Sequence, residues 1–214
     1  MSQLNFEVIG SRPEPYHASP TLSLQLRITE TTGARLHAIA LRCQVQIEPR
    51  RRRYSRDEEE RLLELFGAPR RWSETLQTIV WAQVPLMVQG FTGRTEVDLP
   101  LICTYDFEVG SARYLQALDD GEIPIRVLFS GTVFTKAAAG FAVEQVPWEK
   151  EAKYRLPVRL WRDLMDRYFP GSAWIRLRRD SFDALYRFKG RHALLTWDDA
   201  IETLLNEAVD KDRR

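Results

Sequence analysis

The sequence contains few of the residues from which cross-linked or metal-bound sites are built. Its 214 residues include two cysteines and three histidines. Two cysteines are too few for a disulfide framework in a chain of this length. His17, His37 and His192 have no second ligand two to four residues away, so local spacing assembles no zinc site. We therefore expect no bound metal and no other cofactor.

The sequence also lacks an excess of one charge sign, and it lacks long apolar runs. Lysine and arginine number 31 and aspartate and glutamate 30, so the formal net charge of +1 excludes a whole-molecule attraction to polyanions. The longest apolar stretches are far shorter than the ~20 residues that cross a bilayer. Asn5 and Glu7 interrupt any signal-like region near the start. We expect a cytoplasmic protein that does not insert into membranes.

Motifs of nucleophilic catalysis and phosphate binding are absent as well. No serine lies in a Gly-x-Ser-x-Gly elbow. The segment Gly90–Thr95 lacks the Lys-Ser/Thr ending of a phosphate loop, and it is predicted to be a hairpin turn. Asp119, Asp120 and Glu122 fit no calcium loop, and an Asp-Gly turn between two strands explains them. We expect no catalytic centre; carboxylates that meet from distant segments are the alternative left open.

What the sequence does contain is a succession of strand patterns. Apolar and polar residues alternate at period two over Leu22–Ile28 and Ile39–Ile47, which predicts two strands that we expect to form an antiparallel pair. Further strand signals lie near 79–84, 97–109, 125–134 and 141–146, with a bulge expected at Gly131. Cys43 and Cys103 lie on the apolar sides of such runs, which favours buried thiols over a bridge between two sheets.

Helix signals separate two regions of the chain. The spacing from Ser55 to Glu58 is typical of a capping box and predicts a short helix that ends at Gly67. Three more helices are predicted near the end of the chain, the first beginning at Pro157 and the last capped by Thr196. We therefore predict an α+β protein. An antiparallel β-sandwich of about seven or eight strands fills residues 1–155, with a helical insertion near 55–67, and a C-terminal helical subdomain fills residues 156–214.

One segment of the C-terminal region is locally basic. Between Trp174 and His192 there are six basic and two acidic residues, a net charge of +4. The strand-like run Ala173–Arg179, followed by two helices, resembles the strand-helix-helix unit of ribbon-helix-helix proteins. The resemblance implies that two chains pair their strands and place polar strand residues in the DNA major groove. The residues that it assigns to nucleic-acid contact are Arg176, Arg178 and Arg179. The alternative is a helical subdomain that caps the sandwich.

The whole chain is similar to an uncharacterised bacterial family of about this length. The residues that carry this resemblance are Phe6–Val8, Arg12–Pro15, His37–Gln44, Gly90–Gly93, Cys103–Phe107 and Leu128–Phe134. The family is associated with gene clusters for nickel-iron hydrogenases, and no activity is known for any of its residues. The resemblance implies an accessory or assembly partner of a larger redox enzyme.

These observations together favour a protein that acts through its surfaces. We expect a non-catalytic binding or accessory protein with a protein partner, such as a hydrogenase component or a second copy of the chain. Its six tryptophans, seven tyrosines and ten phenylalanines exceed what one core needs, which also indicates association. The alternative is a DNA-binding regulator that uses the C-terminal unit.

Overall fold

The computed structural model describes residues 3–104, 109–137, 140–172 and 175–212. The chain folds as two compact units, residues 1–174 and residues 175–214. In chain order the elements of the first unit are β1 (Leu4–Pro13), β2 (Thr21–Glu30), β3 (Leu36–Ile47), α1 (Arg56–Phe66), α2 (Trp72–Thr75), β4 (Ile79–Gln89), β5 (Arg94–Ile102), α3 (Gly110–Gln116), β6 (Glu122–Ala137), β7 (Gly140–Gln145), β8 (Glu151–Pro157) and α4 (Val158–Tyr168). Short 3₁₀ turns at Pro49–Arg51 and Pro69–Arg71 flank α1.

The strands of the described chain form two antiparallel sheets. The three-stranded sheet has the order β1-β2-β5. The five-stranded sheet has the order β4-β3-β6, and β6 pairs β8 through its first half and β7 through its second half. The predicted α+β fold with an antiparallel β-sandwich is therefore confirmed.

The core lies between the two sheets, where period-two alternation buries one side of each strand. The side chains of Leu22, Leu24, Leu26 and Ile28 on β2 are fully buried, as are the odd-numbered residues of β3 from Ile39 to Ile47 apart from a trace of exposure at Leu41. Phe6 of β1 stacks on Phe129 of β6 with ring centroids 4.3 Å apart, which joins the two layers. The apolar alternation in the sequence therefore marks the two inner faces correctly.

Two predicted strand pairings are wrong. Strand β2 pairs with β1 and β5, whereas β3 pairs with β4 and β6, so the expected pair of β2 and β3 lies in different sheets. The segment Gly90–Gly93 is likewise no hairpin, because it passes from β4 in one sheet to β5 in the other. Alternation specifies the buried face of a strand, and it carries no information about which strand lies beside it.

Gly131 lies where the backbones of β6 and β3 approach each other closely. The bulge that the sequence predicts at this residue is not found in their pairing. The register of β3 with β6 is continuous from Arg42↔Ser130 through Leu41↔Gly131 to Ala40↔Thr132. Gly131 has φ +148°, and a Cβ there would lie 2.1 Å from the carbonyl oxygen of Ala40. Only glycine fits at this position, because any side chain would collide with the backbone of β3.

Helix α1 begins and ends as the sequence predicts, whereas α4 begins one residue later than predicted and α2 was not predicted. Ser55 and Glu58 form the reciprocal capping box of α1, and Gly67 follows its last turn with φ +73°. Pro157 ends β8 and caps α4 rather than being its first residue. The apolar stripe of α4 is buried in the core of the first unit, so this helix belongs to that unit.

Strand β5 ends at Ile102, earlier than the predicted run to residue 109. Tyr105 and Phe107, which the pattern assigns to that run, lie outside the described residues. Cys43 and Cys103 are buried free thiols, as predicted. Burial raises the pKa of each thiol to about 12, so neither is a thiolate at neutral pH.

The second unit contains α5 (Arg179–Arg191) and α6 (Trp197–Asp212). Helix α5 is closed by Ala193 in a left-handed conformation with φ +52°, and the amide of Leu194 donates to the carbonyl oxygen of Lys189 at 3.1 Å. Helix α6 begins with the predicted cap, since the amide of Asp199 donates to Thr196 Oγ1 at 3.0 Å and the amide of Thr196 donates to Asp199 Oδ2 at 2.9 Å.

Candidate interaction surfaces

The acidic residues that the sequence marks as candidates for acid-base chemistry lie in a loop held by arginines. Asp119 and Asp120 connect α3 to β6, so the Asp-Gly turn lies between a helix and a strand rather than between two strands. Asp119 pairs with two arginine side chains and Asp120 with one, and Glu122 lies 3.8 Å from Arg155. The arginines that reach the loop of residues 117–121 are Arg52, Arg61, Arg159 and Arg162.

The most buried member of this network is Glu58 of α1. One oxygen of its carboxylate accepts from Arg52 Nη2 at 2.5 Å and from the amide of Asp119 at 2.9 Å. The other oxygen accepts from the amide of Ser55 at 3.0 Å. Because all of these acids are engaged with arginines or backbone amides, their arrangement accounts for the structure of the loop.

Metal-ligating side chains do not cluster in the described part of the chain. Within residues 3–104, 109–137, 140–172 and 175–212, no group of three or more His, Cys, Asp or Glu is arranged so that it could hold a metal ion. No helix among these residues has both the length and the apolar character needed to span a bilayer.

The solvent face of the three-stranded sheet is covered with ion pairs. Arg27 of β2 lies between Glu7 of β1 and Glu96 of β5, at 3.5 Å and 3.0 Å. Arg12 forms a bidentate pair with Asp98, at 2.8 Å and 2.9 Å. These pairs connect all three strands, and they make this face a solvated surface of paired charges.

The solvent face of the five-stranded sheet is different, because one half of it carries a group of apolar side chains beside Gln89, Thr132 and Gln145. Residues from four adjacent strands form this surface, which we call the sheet patch: Ala38, Ala40, Met87, Phe134 and Val143. Ala40 is opposite Met87, Ala38 is opposite Phe134, and Phe134 is opposite Val143. Met87 is 66% exposed and Val143 57%. Contiguous apolar surface of this kind marks interaction sites in soluble proteins.

Two cations border the sheet patch. Arg42 follows Ala40 by two residues on β3, and Lys136 follows Phe134 by two residues on β6. Both side chains are exposed. Neither side chain forms a salt bridge with the described residues. The patch was not predicted, because its members come from four strands and no local motif contains them. The available signal was the outward position of alanine and methionine within alternating runs, where polar residues are usual.

A second apolar surface lies on the C-terminal unit. Phe182 and Tyr186 of α5 contact Trp197 of α6, with ring centroids 5.3 Å and 6.1 Å apart. The ammonium of Lys189 lies 5.6 Å from the centroid of the Trp197 ring, within cation–π range. All three aromatic side chains remain partly in solvent, and Tyr186 is 63% exposed. We call these three side chains the aromatic face. Little apolar surface is buried beneath them.

The residues assigned to nucleic-acid contact lie at the start of this unit. Residues 175–178 are exposed and form neither strand nor helix in the single chain. Arg178 caps α5, and Arg179 in its first turn lies 3.8 Å from Asp183. Arg176 precedes them on the same exposed segment. Ala173 and Trp174, the first residues of the predicted ribbon strand, lie outside the described residues.

The two helices of this unit carry opposite charge. Helix α5 contains four basic and two acidic residues, a net charge of +2, and the exposed segment before it adds Arg176 and Arg178. From Arg176 to Arg191 the net charge is therefore +4. Helix α6 contains six acidic residues and one lysine, a net charge of −5. The basic charge was predicted, whereas its acidic counterpart on α6 was not.

Several solved structures are similar to the chain at low identity. A CARDB domain from Pyrococcus furiosus, solved in complex with di-metal ions, is 7% identical with a TM-score of 0.28, and the match covers 73% of this chain and 92% of that one. A β-glucosidase from Kluyveromyces marxianus is 11% identical with a TM-score of 0.25, over 72% of this chain and 15% of that one. β-Glucosidase 3B from Thermotoga neapolitana is 11% identical with a TM-score of 0.27, over 72% and 17%. Such low scores carry no argument about function.

Comparison with curated proteins finds no match. A family model, in contrast, matches nearly the whole chain, residues 1–213. That match spans the sandwich with its sheet patch and the C-terminal unit with its two oppositely charged helices. The chain belongs to DUF6084, a family of unknown function.

Proposed function

We propose that the protein is a non-catalytic accessory protein that binds a protein partner through the sheet patch. The observation that carries this proposal is the contrast between the two solvent faces of the sandwich. One face neutralises its charges in ion pairs across three strands, whereas the other leaves Met87 and Val143 mostly exposed. Burial of a fully exposed side chain of this size contributes about 1.5–3 kcal/mol. A partner that covers the patch gains that free energy.

The two cations at the border of the sheet patch indicate which chemical groups the surface of the partner carries. Arg42 and Lys136 are exposed and form no salt bridge within the described part of the chain. A flat apolar surface with carboxylates at its edge complements both features. A protein surface of this kind is the occupant proposed here.

We propose a component of a larger redox enzyme, such as a hydrogenase, as this partner. The support is the similarity of the segments quoted above to a family associated with nickel-iron hydrogenase gene clusters. The cytoplasm is the proposed compartment, because free thiols such as Cys43 and Cys103 persist in a reducing environment.

The proposal is tested by purification of the tagged chain from its native host, followed by mass spectrometry and an activity assay of the bound enzyme. The test variant is Met87→Lys/Val143→Lys, which changes two exposed side chains on the patch. The control is Tyr16→Lys, at a side chain that is 97% exposed elsewhere in the first unit. We expect wild type and control to retain a stoichiometric hydrogenase component that the double variant loses. Equal retention by the double variant, or absence of such a component from all three, would overturn the proposal.

A second candidate function is DNA binding by the C-terminal unit. The observation that favours it is the exposure of Arg176, Arg178 and Arg179 on a segment with a net charge of +4. Each neutralised phosphate contributes about −0.9 to the slope of log affinity against log salt concentration. The triple alanine variant is expected to reduce this slope in a gel-shift titration, while Arg56→Ala on α1, a 90% exposed arginine, leaves it unchanged. Identical binding by all three proteins would reject the contacts.

A further inference from the structure

The C-terminal unit buries too little apolar surface to account for its own stability. Among its described side chains only Ala200 is buried. Domains below about 40 residues generally need a disulfide, a metal or association to stay folded. The large apolar residues that remain exposed are Ile175, Leu177, Phe182, Tyr186, Leu195, Trp197, Leu204, Leu205 and Val209.

Among the described side chains of the unit, no salt bridge joins α5 to α6. The salt bridge found among its described side chains, between Arg179 and Asp183, lies within α5. A hydrogen bond from Thr196 is the main cause of the lowered pKa of Asp199, and Lys189 adds a weaker attraction without a salt bridge. Arg187 and Arg191 on α5 are exposed, as are Glu202 and Glu207 on α6.

We propose that the C-terminal units of two copies of the chain associate, with α5 of each copy against α6 of the other. A two-fold arrangement repeats every contact twice, so a surface must be complementary to itself. The segment of +4 and the helix of −5 satisfy this condition, because each copy offers both signs. The apolar side chains between them then form the core of a four-helix assembly.

A second copy fits this surface better than the other occupants. Nucleic acid would be attracted by α5 and repelled by the six acidic residues of α6. A protein of one charge sign would match one helix and oppose the other. This inference is independent of the sheet patch, since no residue of the patch lies in the C-terminal unit.

The test is sedimentation velocity of the full chain at micromolar concentration, with two charge-reversed variants. Arg187→Glu/Arg191→Glu changes the net charge of α5 from +2 to −2, so both helices are then acidic. Glu202→Arg/Glu207→Arg reduces the net charge of α6 from −5 to −1 and places two arginines on it. We expect the wild type to be a dimer and each variant alone to dimerise at least tenfold more weakly. We expect an equimolar mixture of the two variants to recover a dimer. In that pair the introduced glutamates face the introduced arginines in one α5–α6 contact, and the other contact keeps its wild-type charges.

The sheet-patch variant Met87→Lys/Val143→Lys is the control, and it is expected to dimerise like the wild type. Circular dichroism shows whether the charge reversals preserve the helices. A monomeric wild type, unchanged dimerisation of both variants, or a mixture that stays monomeric would each overturn the proposal. Loss of the dimer in the sheet-patch variant would show that the chain self-associates through the sheet. That outcome would overturn the proposal as well.

Discussion

Replacement of Glu58 by alanine is expected to destabilise the first unit strongly. The side chains of Glu58 and Arg52 are only 4% and 8% exposed, and Arg52 Nη2 lies 2.5 Å from Glu58 Oε1. The same carboxylate also accepts from the backbone amides of Ser55 and Asp119. Glu58→Ala therefore leaves a buried guanidinium without its counter-charge and two amides without an acceptor.

The magnitude follows from the cost of breaking a buried ion pair at one end. Removal of one partner from such a pair costs about 3–5 kcal/mol, because the remaining charge stays desolvated. For a protein of 150–250 residues each 1 kcal/mol lowers Tm by about 2–4 °C. The expected decrease in Tm is therefore roughly 6–20 °C. Arg52 keeps its bonds to the carbonyl oxygens of Asp120 and Glu122, which limits the loss.

Thermal and urea unfolding followed by circular dichroism measure this loss. The matched control is Glu60→Ala on the same helix, where the side chain is 66% exposed and pairs only with Arg56 at 3.7 Å. We expect it to change stability by less than about 0.5 kcal/mol. The double variant Arg52→Leu/Glu58→Leu is expected to lose less than the sum of the two single replacements. A loss below about 1 kcal/mol for Glu58→Ala would refute the reasoning, because it would show that the pair is solvated.

Three further predictions concern single positions. Gly131→Ala is expected to cost about 2–6 kcal/mol in urea unfolding, from overpacking and backbone strain together, and wild-type stability would contradict the close approach. Cys43 and Cys103, with pKa values of about 12, are expected to resist Ellman's reagent at pH 8 in the native protein and to react once it unfolds; immediate labelling would contradict their burial. The hydrogen bond from Thr196 lowers the pKa of Asp199 below 3.8, so its contribution to the cap of α6 is present above that pH and lost as the pH falls through the lowered value. Thr196→Ala is expected to raise this pKa in an NMR titration, and an unchanged titration would contradict the cap.

The sequence predicts the inner faces of the sandwich and the caps of α1 and α6, because both depend on residues close together in the chain. The alternation from Leu22 to Ile28 reflects burial on one side of a strand. The capping interactions at Ser55 and Thr196 each join residues that are three positions apart. These signals are local, so a single sequence contains them in full.

Such local signals predict neither the neighbours of each strand nor the sheet patch. Strand β3 pairs with residues about 80 to 100 positions away in β6, and no feature near β3 indicates this. The patch combines Ala40, Met87 and Val143 only after three strand registers are fixed. The charge of +4 before His192 was visible in the sequence, because it is confined to one short segment.

The long-range pairing of β3 with β6 has a consequence for how the protein is made. At a translation rate of about 5–20 residues per second, β3 leaves the ribosome several seconds before β6 does. Strand β4 is its first available neighbour, so the sheet begins with one open side. The sheet patch, which contains Phe134 and Val143, does not exist on the nascent chain until both residues have emerged. Recruitment of the proposed partner through the sheet patch therefore requires that the chain has been made at least as far as Val143.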